Sequence, residues 1–149
     1  WLLLFLLIAA VLAAILISRL RPSQPQTGSY RSRKPLSEPE QVLFWRLREA
    51  VPECVVLSQV SFSRFIEPVG AHGGARQGLF NRISRKTVDF LVCLPDFSLV
   101  AAVELDDRTH LPAKDAMRDA ILESAGIPML RVNVRDLPTV EALRALFTK

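Results

Sequence analysis

The first quarter of this chain has no acidic side chain: the 15 Asp and Glu residues of its 149 all lie at Glu38 or later. Cysteine is scarce as well. Cys54 and Cys93 fall in apolar stretches with neither metal-ligand spacing nor a disulfide framework, which leaves two buried free thiols as the expectation. The six glycines form no phosphate-cradling loop, and no internal repeat occurs, so nucleotide-loop enzymes and solenoids are set aside. What the opening does have is apolar length. Trp1 to Ile17 carries no polar side chain beyond the indole N–H. As a helix it rises about 25 Å, close to the roughly 30 Å hydrocarbon core of a bilayer. No small-residue cleavage site follows; Ser18-Arg19-Leu20-Arg21 does. The chain opens on Trp rather than Met, so the span is expected to begin earlier. The expectation is an uncleaved transmembrane helix over 1–20, preferred to a signal peptide.

The net charge of +4 is positional. Arg19, Arg21, Arg31, Arg33 and Lys34 precede the first acid; subtracting these five from the 19 basic residues leaves 14 against 15 acids. The globular part is near neutral, and its composition gives no separate sign of a nucleic-acid surface. The basic flank places the following domain in the cytoplasm by the positive-inside rule, with a single pass through the inner membrane, and it attracts anionic lipid. Residues 21–35, with Pro22, Pro25 and Gly28, read as a flexible basic linker.

Residues 36–149 read as one domain. Ser37 as N-cap and Glu40 at the third helical position form a capping box, with Pro39 tolerated in the first turn. Leu43, Phe44, Leu47, Ala50 and Val51 make an apolar stripe with Trp45 half buried, and Pro52 ends the helix. Cys54 to Phe62 reads as a strand carrying Gln59. Arg64 to Ser84 is irregular, a flap or a short helix near Leu79–Phe80, with His72 in a loop. Beyond a hairpin and a loop over residues 107–112, a helix is predicted over Ala113–Ala125, its apolar face being Met117, Ile121, Leu122 and Ala125. Gly126 is its C-cap and Pro128 blocks continuation. A strand at Met129–Val134 is interrupted by Arg131, which either snorkels or points at the acids. A last helix covers Val140–Phe147.

The hairpin, Val88 to His110, organises the domain. Two apolar runs, Val88–Leu94 and Leu99–Leu105, flank Pro95-Asp96-Phe97-Ser98, which has turn chemistry. Centring the turn between Asp96 and Phe97 pairs Leu94 with Leu99 and sets Asp89 opposite Glu104. Asp106 then faces the same way as Glu104. Like charges opposed across strands destabilise a sheet, and a buried carboxylate needs a partner. A divalent cation is the simplest compensation, because hard cations take carboxylate oxygens. A solvated strand end is the plain alternative.

This order resembles the restriction-endonuclease-like PD-(D/E)XK superfamily. The residues that carry the resemblance are Ser37-x-x-Glu40, Phe44-Trp45-x-Leu47-Arg48, Gln59, Val88-Asp89-Phe90, Val103-Glu104-Leu105-Asp106-Asp107-x-x-His110, and Asp115-x-x-Arg118-Asp119 through Gly126-Ile127-Pro128 to Arg131. All of these segments resemble one bacterial branch that includes domain-of-unknown-function family 2726 and relatives of the very-short-patch-repair endonuclease. The resemblance implies an α/β fold: a mixed sheet in an αβββαβ core with a C-terminal helix, here preceded by the transmembrane helix. It implies Mg²⁺ or Mn²⁺ held by Asp89, Glu104 and the Leu105 carbonyl, Glu40 reaching the metal through water, and Gln59 as an orienting residue. Asp106 stands where many superfamily members carry Lys, and His110 is implied as a proton relay or phosphate contact; a loop histidine bonding the carboxylates is the alternative. The implied function is a membrane-anchored, metal-dependent nuclease acting on DNA or RNA. The alternative is a catalytically inactive module of the same fold that binds nucleic acid or a protein partner at the membrane.

Overall fold

A computed structural model describes residues 1–20, 28–106 and 112–148, without the side chains of residues 17–20 and 112–115. It divides into two compact units, Trp1–Arg33 and Lys34–Lys149. In the first, helix α1 spans Leu2–Leu20, and every described side chain on it is exposed. Among the described residues, no helix is long and apolar enough to cross a membrane. The transmembrane helix expected over 1–20 is therefore not supported. Its polar last turn begins at Ser18, and the apolar part from Leu2 to Ile17 rises only about 24 Å, short of the hydrocarbon thickness. Residues 28–34 are irregular and exposed.

The second unit is a four-stranded mixed sheet between two helical layers, which bears out the α/β expectation. Helix α2 (Glu38–Ala50) starts at the capping box of Ser37 and Glu40. Strand β1 (Val55–Ser61) leads through a 3-10 turn (Phe62–Arg64) to helix α3 (Gly73–Ile83). Strands β2 (Thr87–Cys93) and β3 (Leu99–Asp106) form the hairpin. Helix α4 (Pro112–Ser124), strand β4 (Met129–Asn133) and helix α5 (Val140–Phe147) complete the chain. The sheet order is β1-β2-β3-β4, antiparallel except for the parallel β3–β4 pair that the α4 crossover permits.

Each face of the sheet has its own core, because β2 and β3 are apolar on both sides. Leu43, Leu47 and Val51 meet Phe90, Val92, Val103, Val132 and Leu143 on the α2–α5 face. Phe62, Ile83, Leu91, Ala102, Leu122 and Ile127 pack together on the other, with α3 and α4. Arg46 and Arg144 fasten the first layer by donating to the carbonyls of Leu137, Pro138, Ala50 and Glu49. Gly126 ends α4 at φ +69°, where the Ile127 N–H reaches the Leu122 carbonyl at 2.9 Å.

Of the two readings of 64–84, the helix holds: α3 has 11 residues and includes Leu79 and Phe80, although its three glycines weaken its helical signal. Three local expectations are corrected. At the hairpin tip Cys93, not Leu94, pairs with Leu99. The Leu94 N–H bonds the Ser98 carbonyl instead, and Phe97 takes φ +65°, so the extra residue of β3, Val100, is absorbed as a bulge. Trp45 is exposed and stands edge-on to Phe44 rather than half buried. On α4, Leu122 is buried while Met117 and Ala125 are exposed.

Candidate functional site

The register Phe90↔Val103, continued by one residue, sets Asp89 opposite Glu104. Glu104 alternates onto the α3–α4 face with Ala102, and Asp106 follows it there. On β1, Gln59 lies between the pairs Ser58↔Phe90 and Val60↔Val88, hence opposite Asp89. Its backbone is left-handed, at φ +53°, a conformation that costs a non-glycine residue about 1 kcal/mol or more.

That geometry lets the Gln59 amide bridge two carboxylates. Its Nε2 donates to Oε1 of Glu40 at 2.6 Å and to Oδ1 of Asp89 at 3.3 Å. The other Glu40 oxygen, Oε2, accepts the Ser37 N–H at 2.6 Å and its hydroxyl at 2.5 Å. Glu40 thus serves the helix cap and the cluster together. Asp89 uses Oδ2 to accept the Leu105 N–H at 2.8 Å. Leu105 enters the site through its backbone N–H, while its side chain packs in the α2–α5 core.

Glu104 is 5% exposed, and its Oε1 accepts a hydrogen bond from Nη2 of Arg118 on α4. The same Nη2 donates to the Thr87 carbonyl at 2.6 Å, and the guanidinium lies 6.0 Å from the Phe62 ring centroid. The buried Nε of Arg118 has no hydrogen-bond partner among the described residues. Burial pushes Glu104 up to about 7; Arg118 opposes this, Asp89 and Asp106 add to it, and Arg131 opposes it. Desolvation and two like charges therefore outweigh the paired guanidinium. Arg131 on β4 lies opposite Glu104 in the parallel register. It donates Nη1 to Asp106 at 2.8 Å and Nη2 to Asp119 at 2.7 Å, so it points at the acids rather than snorkelling. Those bonds push the guanidinium pKa upward.

Asp89, Glu104, Asp106, Gln59 and Glu40 are thus gathered at one end of the β1–β2–β3 sheet. His110 and Asp107 lie outside the described residues. Among the described residues, no three His, Cys, Asp or Glu side chains are placed to share a metal ion. The all-oxygen donor set suits a hard cation in kind. The charge compensation expected from a metal is supplied to Glu104 by Arg118. Arg118 and Asp119 carry part of the family resemblance, but the sequence reading assigned them no place in the site. The available signal was spacing: Arg118 precedes Leu122 by one helical turn, on the stripe that faces the sheet. A cavity of about 520 Å³ between α3, α4 and residues 65–69 is lined by Phe65, Ile66, Leu79, Ile83 and Ile121. None of the clustered carboxylates lines it, although Glu67 and Arg82 do, so it is separate from this chemistry.

Residues 32–149 match the family described as protein of unknown function (DUF2726). The chain belongs to this family. No curated protein and no solved structure matches it. The family match covers the entire sheet and α2 to α5, and so includes every residue of the cluster in this DUF2726 chain.

Proposed function

We propose that this DUF2726 chain is a metal-dependent phosphodiesterase of the PD-(D/E)XK type that hydrolyses nucleic acid. The observation that carries the reading is Asp89 opposite Glu104 on one face of a buried hairpin, with Asp106 beside them and Glu40 joined through Gln59. Bound Mg²⁺ or Mn²⁺ would supply an acidified water and offset charge on the scissile phosphate. Asp89 and Glu104 would hold the cation, together with the Leu105 carbonyl. Gln59 fixes the Asp89 carboxylate and ties it to Glu40. Asp106, in the position of the superfamily lysine, receives the Arg131 guanidinium, which brings positive charge to that place from β4. His110 is proposed as the proton relay.

Helix α1 is proposed to hold the domain at the cytoplasmic side of the inner membrane. From Leu2 to Ile17 it is apolar on all sides, a composition that favours a non-aqueous setting, and basic residues follow that stretch. Alkaline carbonate extraction of cell membranes tests this: the chain is expected to stay in the pellet, and release into the supernatant would contradict it.

The activity is tested with the intact chain on labelled single-stranded DNA, duplex DNA and RNA, with Mg²⁺, Mn²⁺ or a chelator. Cleavage is expected only with metal, and Asp89→Asn and Glu104→Gln should each abolish it. A second reading, a non-catalytic binding module, is favoured by the Arg118–Glu104 pair, since an internal cation already matches the buried charge. Metal binding without cleavage of any of the three substrates would select that reading.

A further inference from the structure

The β1–β2 connection, residues 62–86, contains Arg64, Arg76, Arg82, Arg85 and Lys86 against a single acid, Glu67. From Glu38 onward the chain is near neutral, so this segment holds a local excess of positive charge that the remainder balances. Elsewhere in the site the guanidiniums are matched: Arg118 by Glu104, and Arg131 by Asp106 and Asp119. Here they are not. Among the described residues, Arg64, Arg82, Arg85 and Lys86 make no side-chain hydrogen bond or ion pair, and Arg76 has only the Pro68 carbonyl, at 3.3 Å. A cation that neither pairs within the fold nor packs into its core is available to an external anion.

The placement is specific. The Phe62 N–H bonds the Lys86 carbonyl at 2.9 Å and closes the connection at its base, which sets Arg64 near Arg85 and Lys86. β1 ends two residues beyond Gln59, and β2 begins two residues before Asp89. The basic segment therefore rises from the same sheet end as the carboxylate cluster. Arg118 ties the two, since it bonds both the Thr87 carbonyl and Glu104. On α3 the Phe80 side chain is 41% exposed, one turn from Arg76 and two residues from Arg82. An exposed aromatic ring on the same helix face as Arg76, within a segment of excess positive charge, suits a partner that is both polyanionic and planar.

We infer that the 62–86 connection is the docking surface for a single-stranded nucleic acid, with its basic side chains on the phosphates and Phe80 stacked on a base. The inference deepens the phosphodiesterase reading, and rests on it for the choice of a nucleic acid over other polyanions. It adds where the phosphate chain lies as it reaches the carboxylates, and that unpaired bases are preferred. A duplex keeps its bases stacked inside and offers Phe80 no face.

The test is binding of a fluorescent 20-nucleotide single strand, as DNA and as RNA, to the intact chain in detergent, with a chelator present so that no cleavage occurs. The duplex of the same sequence and phosphatidylglycerol vesicles serve as competitors. Arg82→Ala with Arg85→Ala should weaken binding at least fivefold at low salt. It should also reduce the slope of log affinity against log salt by about 1.4, at roughly 0.7 for each lost phosphate contact on a single strand. Arg82→Lys with Arg85→Lys should restore most of the affinity. Phe80→Ala should weaken single-strand binding roughly fivefold or more and leave duplex binding unchanged. Arg135→Glu, an exposed change outside the segment, should have little effect. No single-strand binding by the wild type, or Ala variants that bind as well as the wild type, would overturn the inference. So would vesicles that bind through these residues while the oligonucleotide does not compete. Should the Ala variants of the 62–86 connection lose binding while no substrate is ever cleaved with metal, the phosphodiesterase reading fails and the docking surface stands. Should metal-dependent cleavage proceed equally in those variants, the docking surface fails and the reading stands.

Discussion

Glu104 on β3 is held by Arg118 on α4, and the carboxylate is still pushed up to about 7. The pair is a balance in which burial and the nearby Asp89 and Asp106 exceed one guanidinium. Its sign sets a pH dependence. The folded pKa lies above the ordinary value of 4.5, so between about 4.5 and 7 the folded state binds more protons than the unfolded one. The stability contributed by protonated Glu104 is complete below pH 4.5 and lost as pH rises through 7, a change on the order of 3 kcal/mol. Chemical denaturation of wild type and Glu104→Gln between pH 4.5 and 8 measures it. The Gln variant keeps an acceptor for Arg118, should lose this slope, and should match or exceed wild-type stability above pH 7.

Arg118→Met should behave in the opposite way. It leaves a buried carboxylate without its cation and the Thr87 carbonyl without its donor, a loss of roughly 3 kcal/mol or more at pH 8. At pH 5 the cost should shrink, because Glu104 is then protonated. Denaturation midpoints of the variant at the two pH values decide this; equal costs would mean that the guanidinium acts by packing alone.

Gln59 gives a backbone test. Ala and Gly both remove the amide that bridges Glu40 and Asp89, but only Gly relieves the left-handed φ of +53°. Gln59→Gly should therefore be more stable than Gln59→Ala by about 1 kcal/mol. Thermal melts of the two variants give the comparison directly.

Residues 34–149 contain both cores and the whole sheet. Expressed from Lys34, this part should unfold in one cooperative transition, with coincident far- and near-ultraviolet circular dichroism. Separated transitions would show that the two faces of the sheet do not fold as one unit.

The register of the hairpin was legible in the sequence because the turn residues Pro95 to Ser98 fix the centre from which the two apolar runs are counted. The count placed Asp89 opposite Glu104 correctly even though the turn was misread, since the bulge at Val92/Cys93 absorbs the error at the tip, far from the acids. The capping role of Glu40 was legible from four consecutive residues, but its bond to Gln59 was not, because it depends on the left-handed backbone at Gln59. Arg118 was missed for a related reason. A basic residue on a helix normally reads as solvent-facing, and only the crossover from β3 to β4 brings it over Glu104. The basic charge of residues 62–86 was hidden in a near-neutral total, and it became visible once the fold set that segment beside the carboxylates.

The cluster's capacity for a cation is tested most directly by the melting temperature of the intact chain as Mn²⁺ or Mg²⁺ is raised. If Asp89 and Glu104 bind the ion in the folded state, wild type should be stabilised by about 2.7 kcal/mol at 100 times the dissociation constant. Asp89→Asn and Glu104→Gln should each lose most of that response. A wild type whose melting temperature does not move at millimolar metal would contradict the phosphodiesterase reading and leave Arg118 and Arg131 as the counter-charges to Glu104 in a binding module.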